Sequence, residues 1–385
     1  MELRHGTPKE AVMSSQRVQH VVDLAGGWVA QGVHPALVVL AARRGVIFLH
    51  EASGCLTPEP DSPPLELDSL FNLSSLSKPI TTMAAMFLVE DGLLGLNRPV
   101  QEYIPEFTGE GKEQVTVHHL LTHTSGLSDE DLFAHAEKKG DVEIPPTEEG
   151  QHPEVSKHLF LGYDTPLTIP PGKEQRYCNF GIDMAGEIVR RVSEKSLGDF
   201  SKERLFKPLG MKDTCYGLPD AMWNRVVKRT EDAPDAQWFT QEALEVPWGA
   251  SGVISTAMDT AIMGQMLLNG GVYGDTRVLS PATVTAMTRN QIPGIGARWL
   301  DEFFPEADMG YGFFIKGNKK VVAWAEPLQS PETFTHSGSG SVFLWVDPVS
   351  EIVGCYFSVA LMGPPKMFYN ADLFVNAVTA GIVDV

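Results

Sequence analysis

Ser75 and Lys78 stand three residues apart in the run FNLSSLSKPITTMAAMFLVEDG, residues 71–92. A helix beginning near Ser75 puts the hydroxyl and the amine on one face, within hydrogen-bond reach of each other. Burial of that amine drives off its proton, because leaving water disfavours the charged form. A neutral amine beside a hydroxyl is a general base for a nucleophile. In the first turn of a helix the Ser75 backbone N–H has no intrahelical acceptor, and with the positive end of the helix dipole behind it, it can serve as half of an oxyanion hole. S-x-x-K also recurs by chance in long chains, so the chemistry needs partner groups elsewhere.

Other reactive side chains are less eloquent. His119 and His123 are four apart, the separation used by helical metal ligands. No glutamate of an H-E-x-x-H pattern accompanies them and no third ligand offers itself, so they read as capping or packing residues; neither a metal nor a cofactor is expected. Cys55, Cys178, Cys215 and Cys355 lie far apart without a CxxC pair. They read as reduced, packed thiols rather than a disulfide frame or a zinc site.

The elements that must position Ser75 follow from the flanking pattern. Ile80 to Val89 is apolar nearly all round, broken by Thr81 and Thr82, as in a helix buried on every side. Gly92 suits its C-terminal cap, and Pro79 falls in the first turn, where its missing N–H has no partner to lose. Upstream, helical spacing predicts an amphipathic helix over 10–31. The β-rich runs 36–41 and 46–49 around Arg43-Arg44-Gly45 predict a hairpin, and the proline-rich stretch 55–68 a loop. Downstream, 115–127 reads as a helix ending at Ser125-Gly126. Further helices are expected from Asn179, around 200–209, from Thr256 (a capping-box sequence) to Asn269, and over 368–382. Strands are expected at 311–315, 333–335, 341–346 and 352–359. The polar, acidic segment 128–171 is too long for a plain connector and reads either as a lid or binding loop or as a disordered surface excursion. Strands at both ends with helices between predict an α+β fold, an antiparallel sheet closed by both termini with a helical insertion beside it. The domains then comprise 1–78 together with 308–385 as the sheet domain, and 79–307 as the mainly helical one, with the active site between them.

Composition narrows the function class. The chain has 385 residues, 43% of them hydrophobic, enough for a sizeable core. Its 30 basic against 49 acidic residues give a net charge of −19, which repels phosphate backbones and anionic lipid and argues against nucleic acid or a membrane surface as partner. No apolar run reaches the length of a membrane span, and the N-terminal MELRHGTPKEAVMSSQRV lacks a signal-peptide core. A cytoplasmic location is expected; nothing in the sequence speaks to oligomeric state.

Two later motifs give Ser75 and Lys78 their context. Tyr177-Cys178-Asn179 directly precedes a helix, and His336-Ser337-Gly338 sits where one strand ends and the next begins. S-x-x-K, then Y-x-N, then a basic residue with Ser/Thr and Gly is the ordered set of serine β-lactamases and penicillin-binding proteins. The chain resembles the class C β-lactamase-like superfamily, which includes family VIII carboxylesterases, D-alanyl-D-alanine carboxypeptidases and D-aminopeptidases. FNLSSLSKPIT, VTVHHLLTHTSGL, the Y-x-N-F-G-I-D stretch, LFKPLGMKDT, GVISTAMDTA and FTHSGSGS look like its landmarks, in order over nearly the whole chain.

The resemblance implies a β-lactamase/transpeptidase-like fold, with Ser75 as acylated nucleophile and Lys78 as its base. It implies that Tyr177 shares the proton and passes it to the leaving group, that Asn179 holds Lys78 and substrate, and that the Ser339 N–H is the second oxyanion donor. His336, Ser337 and Gly338 would border the substrate. Where β-lactamases of this type carry K-T-G, this chain has H-S-G, similar to the variants of peptidases and esterases; a mostly neutral histidine offers less fixed charge to a substrate carboxylate. Trp238, Trp248, Trp299, Phe303 and Phe304 are expected as cavity walls suited to a partly apolar acyl or alcohol group. The leading expectation is a carboxylesterase acting on small esters through an acyl-enzyme. The rivals are a D-amino-acid peptidase or amidase, a β-lactam-interacting enzyme, a transacylase, and a non-catalytic scaffold of the same fold.

Overall fold

The computed structural model describes residues 1–140, 142–299, 302–318, 327–364 and 366–384, with the Trp299 side chain left out. In it the apolar runs from the two chain ends pair into one seven-stranded sheet. The spatial order is Arg4–His5, Val46–Gly54, Ala36–Arg43, Ile352–Ser358, Val342–Asp347, Phe334–Gly338, Phe314–Ile315. All neighbours are antiparallel except Arg4–His5, which runs parallel to Val46-Ile47. The expected hairpin turns at Arg44 and Gly45, with φ of 52° and 74°, the positive pair that matches strand twist across a two-residue connection.

The central strands are apolar without interruption because both faces are covered. Every residue of Ala36–Arg43 is buried. Their alternation divides them between two cores: Val38, Leu40, Leu344 and Val353 pack with the serine helix and with Ala257–Leu268 on one face. Leu37, Val39, Phe343 and Tyr356 pack with Ser15–Ala30 and Tyr369–Thr379 on the other.

The serine helix, Ser77–Glu90, is buried at every position from Ser77 to Leu88 and lies against Asn179–Ser193. Thr256 caps Ala257–Leu268 by accepting the Asp259 N–H, as the capping-box sequence requires. No helix among the described residues is long and apolar enough to cross a membrane.

Several segments depart from the sequence pattern. The helix expected over 115–127 stops after Val117–Leu121, for a tertiary reason given below. The segment around 200–209 is helix Leu197–Ser201, a π-helical turn Lys202–Phe206, and Lys207–Leu209. Of 311–315 only Phe314–Ile315 is strand, while the next strand extends through the whole H-S-G motif to Gly338. Within the polar segment 128–171 lie two helices, Asp129–Lys139 and Pro153–Gly162, and Leu132, Leu159 and Tyr163 enter the core. Burial of those apolar side chains decides against a disordered excursion.

Candidate active site

The serine sits on a tight turn. Strand Phe71–Asn72 pairs with Val253–Ser255, and Asn72 Oδ1 then accepts the Ser74 N–H at 2.8 Å. Ser74 is left-handed, φ 46°, a conformation that costs a non-glycine residue about 1 kcal/mol or more. The turn Ser74–Leu76 runs straight into the serine helix. It presents Ser75 half-buried, facing a cavity of about 300 Å³.

Lys78 lies beneath it, fully buried. Its Nζ is 3.0 Å from Ser75 Oγ and 3.0 Å from the Ala250 carbonyl oxygen, and 4.7 Å from the centre of the Tyr177 ring. Burial pushes the amine down to about 8, against the opposing pull of Asp129, Asp183 and Cys178. A pKa near 8 leaves about a tenth of the amine neutral at pH 7 and half at pH 8. The Ala250 peptide is itself held, its N–H donating to Asp183 Oδ1 at 2.8 Å. Burial raises the Asp183 carboxyl above its ordinary range.

Tyr177 hydrogen-bonds Ser75 through its hydroxyl. Its ring stacks on His123 at 4.6 Å and 30°, lies parallel to Phe314 at 6.3 Å, and has His336 at 6.5 Å. Burial holds the phenol well above its ordinary range, so it stays neutral at physiological pH.

The stacking explains the shortened helix. His123 turns left-handed, φ 56°, so that its Nδ1 accepts the Cys178 N–H at 3.2 Å and its ring backs Tyr177. Burial pushes it down to about 3. His119 caps its own helix, Nδ1 accepting the Thr116 N–H at 3.1 Å. Both histidines thus take the packing and capping roles the sequence offered. No group of three or more His, Cys, Asp or Glu among the described residues is placed to hold a metal.

Asn179 lines the cavity, with a different partner from the one expected. Its backbone N–H reaches Asp129 Oδ1 at 2.8 Å and Oδ2 at 3.0 Å, and its amide Nδ2 donates to Asp129 Oδ2 at 2.6 Å; the Phe180 N–H is a third donor to that carboxylate. A helix start needs an acceptor for its orphan N–H groups, and Asp129 supplies it. Lys78 is held instead by Ala250.

In the third motif His336 is buried, with Nδ1 donating to the Ser337 carbonyl at 2.8 Å. Burial first, and then the Lys78 charge, keep it neutral. Ser337 alternates to the opposite face of the strand, paired with Phe343, and none of His336, Ser337 and Gly338, expected to border the substrate, is among the cavity-lining residues. Gly338 must be glycine: a Cβ there would lie 2.0 Å from the Leu73 carbonyl oxygen. That close approach ties the strand to the serine turn. Ser339 follows into the cavity, its Oγ donating to Asp235 Oδ2 at 2.6 Å.

Trp238 and Trp248 are walls of this cavity. Phe303 and Phe304 are not; they belong to strand Glu302–Phe304, which pairs with Gly296–Trp299 away from it, and the Trp299 side chain lies outside the described residues. A larger cavity, about 410 Å³, lies behind and shares Asp183 but does not border Ser75. The reactive groups, not the volume, mark the site.

Sequence reasoning missed Asn72, Asp129, Asp183, Ala250 and Asp235. Asn72 and Asp183 lie inside quoted landmark stretches, whereas Asp129 and Asp235 stand in polar runs where nothing local separates them from solvated acids.

Comparison with known proteins bears on the family and the fold. A sequence model of the beta-lactamase family matches residues 17–375. A putative D-alanyl-D-alanine carboxypeptidase from Salmonella agona is 22% identical, with 99% of this chain and 90% of the relative aligned. Among solved structures, EstCE1, described as a hydrolase with promiscuous acyltransferase activity, superposes with a TM-score of 0.73 at 22% identity, covering 97% of this chain and 98% of its own. A family VIII carboxylesterase gives 0.71 at 23%, covering 96% and 98%. These likenesses share the fold.

Proposed function

Because the chain belongs to the beta-lactamase family, we propose that it is a serine hydrolase acting through an acyl-enzyme on Ser75, and that its substrates are small carboxylic esters. The observation that carries the reading is the fully buried Lys78 amine 3.0 Å from Ser75 Oγ. Neutral Lys78 takes the hydroxyl proton as Ser75 Oγ attacks the ester carbonyl. The backbone N–H groups of Ser75 and Ser339, both on the cavity wall, receive the developing oxyanion; one such donor is typically worth about a hundredfold in turnover. The proton passes by way of Tyr177 to the leaving alcohol, and water then releases the acid by the reverse path. Asn179, fixed by Asp129, borders the substrate, as do Ser339 and the tryptophans.

The third motif favours esters over D-alanyl peptides with a free carboxylate, and over β-lactams. His336 is buried and neutral and supplies no fixed positive charge to such a group. Likeness to an esterase and to a hydrolase with acyltransferase activity supports the same reading and keeps transfer to an alcohol or amine within the site's chemistry. The four cysteines are unpaired, which suits the cytoplasm.

Purified wild type and Ser75→Ala are compared on p-nitrophenyl acetate and butyrate. Hydrolysis is expected from the wild type and background rates from the variant; equal rates overturn the reading.

A further inference from the structure

We propose that the substrate of this site bears a positively charged amine, held between Asp235 and the cavity's aromatic faces. The inference rests on the acyl-enzyme reading and narrows its substrate class. The lining residues include two acids, Asp183 and Asp235; among the described lining residues there is no lysine or arginine, and the one histidine, His158, has its Nε2 3.7 Å from Asp183 Oδ2. Around the acids stand Phe133, Trp238, Phe239 and Trp248. Phe133 and Trp238 are 62% and 57% exposed, so aromatic surface is open at the mouth of the cavity.

Asp183 is engaged by the Ala250 N–H and faces His158, which leaves Asp235 as the carboxylate turned to a ligand; a carboxylate in a mostly apolar cavity is costly unless something compensates it. A cation resting on indole or phenyl faces beside a carboxylate is the arrangement that recognises ammonium groups. A carboxylate-bearing substrate would meet two acids and no lysine or arginine, and His158 is turned toward Asp183. The chain's net charge of −19 adds a field of the same sign.

The cations near the cavity are already engaged. Lys78 lies below the floor, bonded to Ser75 and Ala250. Arg229 lies behind the wall, its guanidinium 3.5 Å from the Phe239 ring centre and packed so tightly under Gly340 that a Cβ there would sit 1.4 Å from its Nη2. Burial pushes Arg229 down to about 10, with Asp235 pulling the other way; it stays charged at neutral pH and offsets part of the Asp235 charge from outside the cavity. Asp235 is anchored by Ser339 Oγ. It thereby fixes the bound amine a short distance from the oxyanion donors, as in an amino-alcohol or aminoacyl ester.

Acetylcholine and 3,3-dimethylbutyl acetate have the same shape and differ by the charge on one atom. We expect wild-type kcat/KM, read as acetic acid release, to favour acetylcholine by about tenfold or more, and the ratio to fall toward one in Asp235→Asn, which keeps an oxygen for Ser339, and in Trp238→Leu. Equal or reversed preference in the wild type overturns the proposal. Binding read without turnover, by tryptophan fluorescence titration with choline and 3,3-dimethylbutanol, decides the matter if neither ester is hydrolysed. Tighter choline binding that weakens in Asp235→Asn supports it, and equal affinities overturn it. Failure of a fluorophosphonate to label Ser75 would instead overturn the acyl-enzyme reading and leave the titration to judge the amine.

Discussion

Lys78 Nζ stands 3.0 Å from Ser75 Oγ with no exposed surface of its own, and its second hydrogen bond goes to the Ala250 peptide carbonyl rather than to a carboxylate. An amine so placed is costly to keep charged and well placed to act as a base. Lys78→Met, close in volume, is therefore expected to lower kcat/KM for a p-nitrophenyl ester by about a hundredfold to ten-thousandfold. Its Tm should stay at or above that of the wild type, because a buried amine gives way to a packed apolar chain. A Tm several degrees lower with activity retained would make Lys78 a structural residue.

The same burial sets the pH dependence. Lys78 must be neutral to accept the Ser75 proton, and its amine titrates at about 8. Activity per enzyme should therefore rise with pH and level off above a midpoint near that value. Asp183 favours the charged amine, so Asp183→Asn removes that support and should move the midpoint to lower pH. Profiles of kcat/KM for the two proteins check this; a midpoint that moves upward contradicts the charge assignment.

Tyr177 should matter for proton transfer more than for binding. Its hydroxyl reaches Ser75 while its ring is fixed by His123 and Phe314, so Tyr177→Phe keeps the stacking and removes only the proton path. We expect kcat to drop about a hundredfold or more with KM changed little. A larger change in KM than in kcat would assign the phenol to substrate binding.

The serine helix, the hairpin and the three motifs could be read from the chain because each is a local pattern: an all-round apolar run, a turn between β-rich segments, side chains at fixed spacing. The central strands were recognisable for the same reason, since burial on both faces leaves continuous apolar runs such as Ala36–Ala42. What the sequence hid depends on partners far along the chain. His123 breaks a helical pattern to reach Cys178 and Tyr177. Asn179 gives its amide to Asp129, fifty residues earlier. Ala250 becomes a ligand of Lys78 because Asp183 holds its N–H. No local propensity encodes these pairings. Asp235, in a polar stretch, gains meaning from Ser339 more than a hundred residues away.

Neutral histidines in the interior make the fold sensitive to acid. Burial lowers His336, pushes His123 down to about 3, and His50 and His119 to about 4. An unfolded histidine titrates near 6.5. The stability these side chains lend is thus complete above about pH 6.5 and drains away as pH falls toward the folded values, because the unfolded chain binds the extra protons. A histidine that stays neutral in the fold accounts for a loss on the order of 2 kcal/mol by pH 5. Tm measured from pH 7.5 to 5 should fall, and His336→Leu should fall less steeply. Parallel slopes for the two proteins would show that His336 takes up its proton without unfolding, and that the wall behind Tyr177 tolerates a charge.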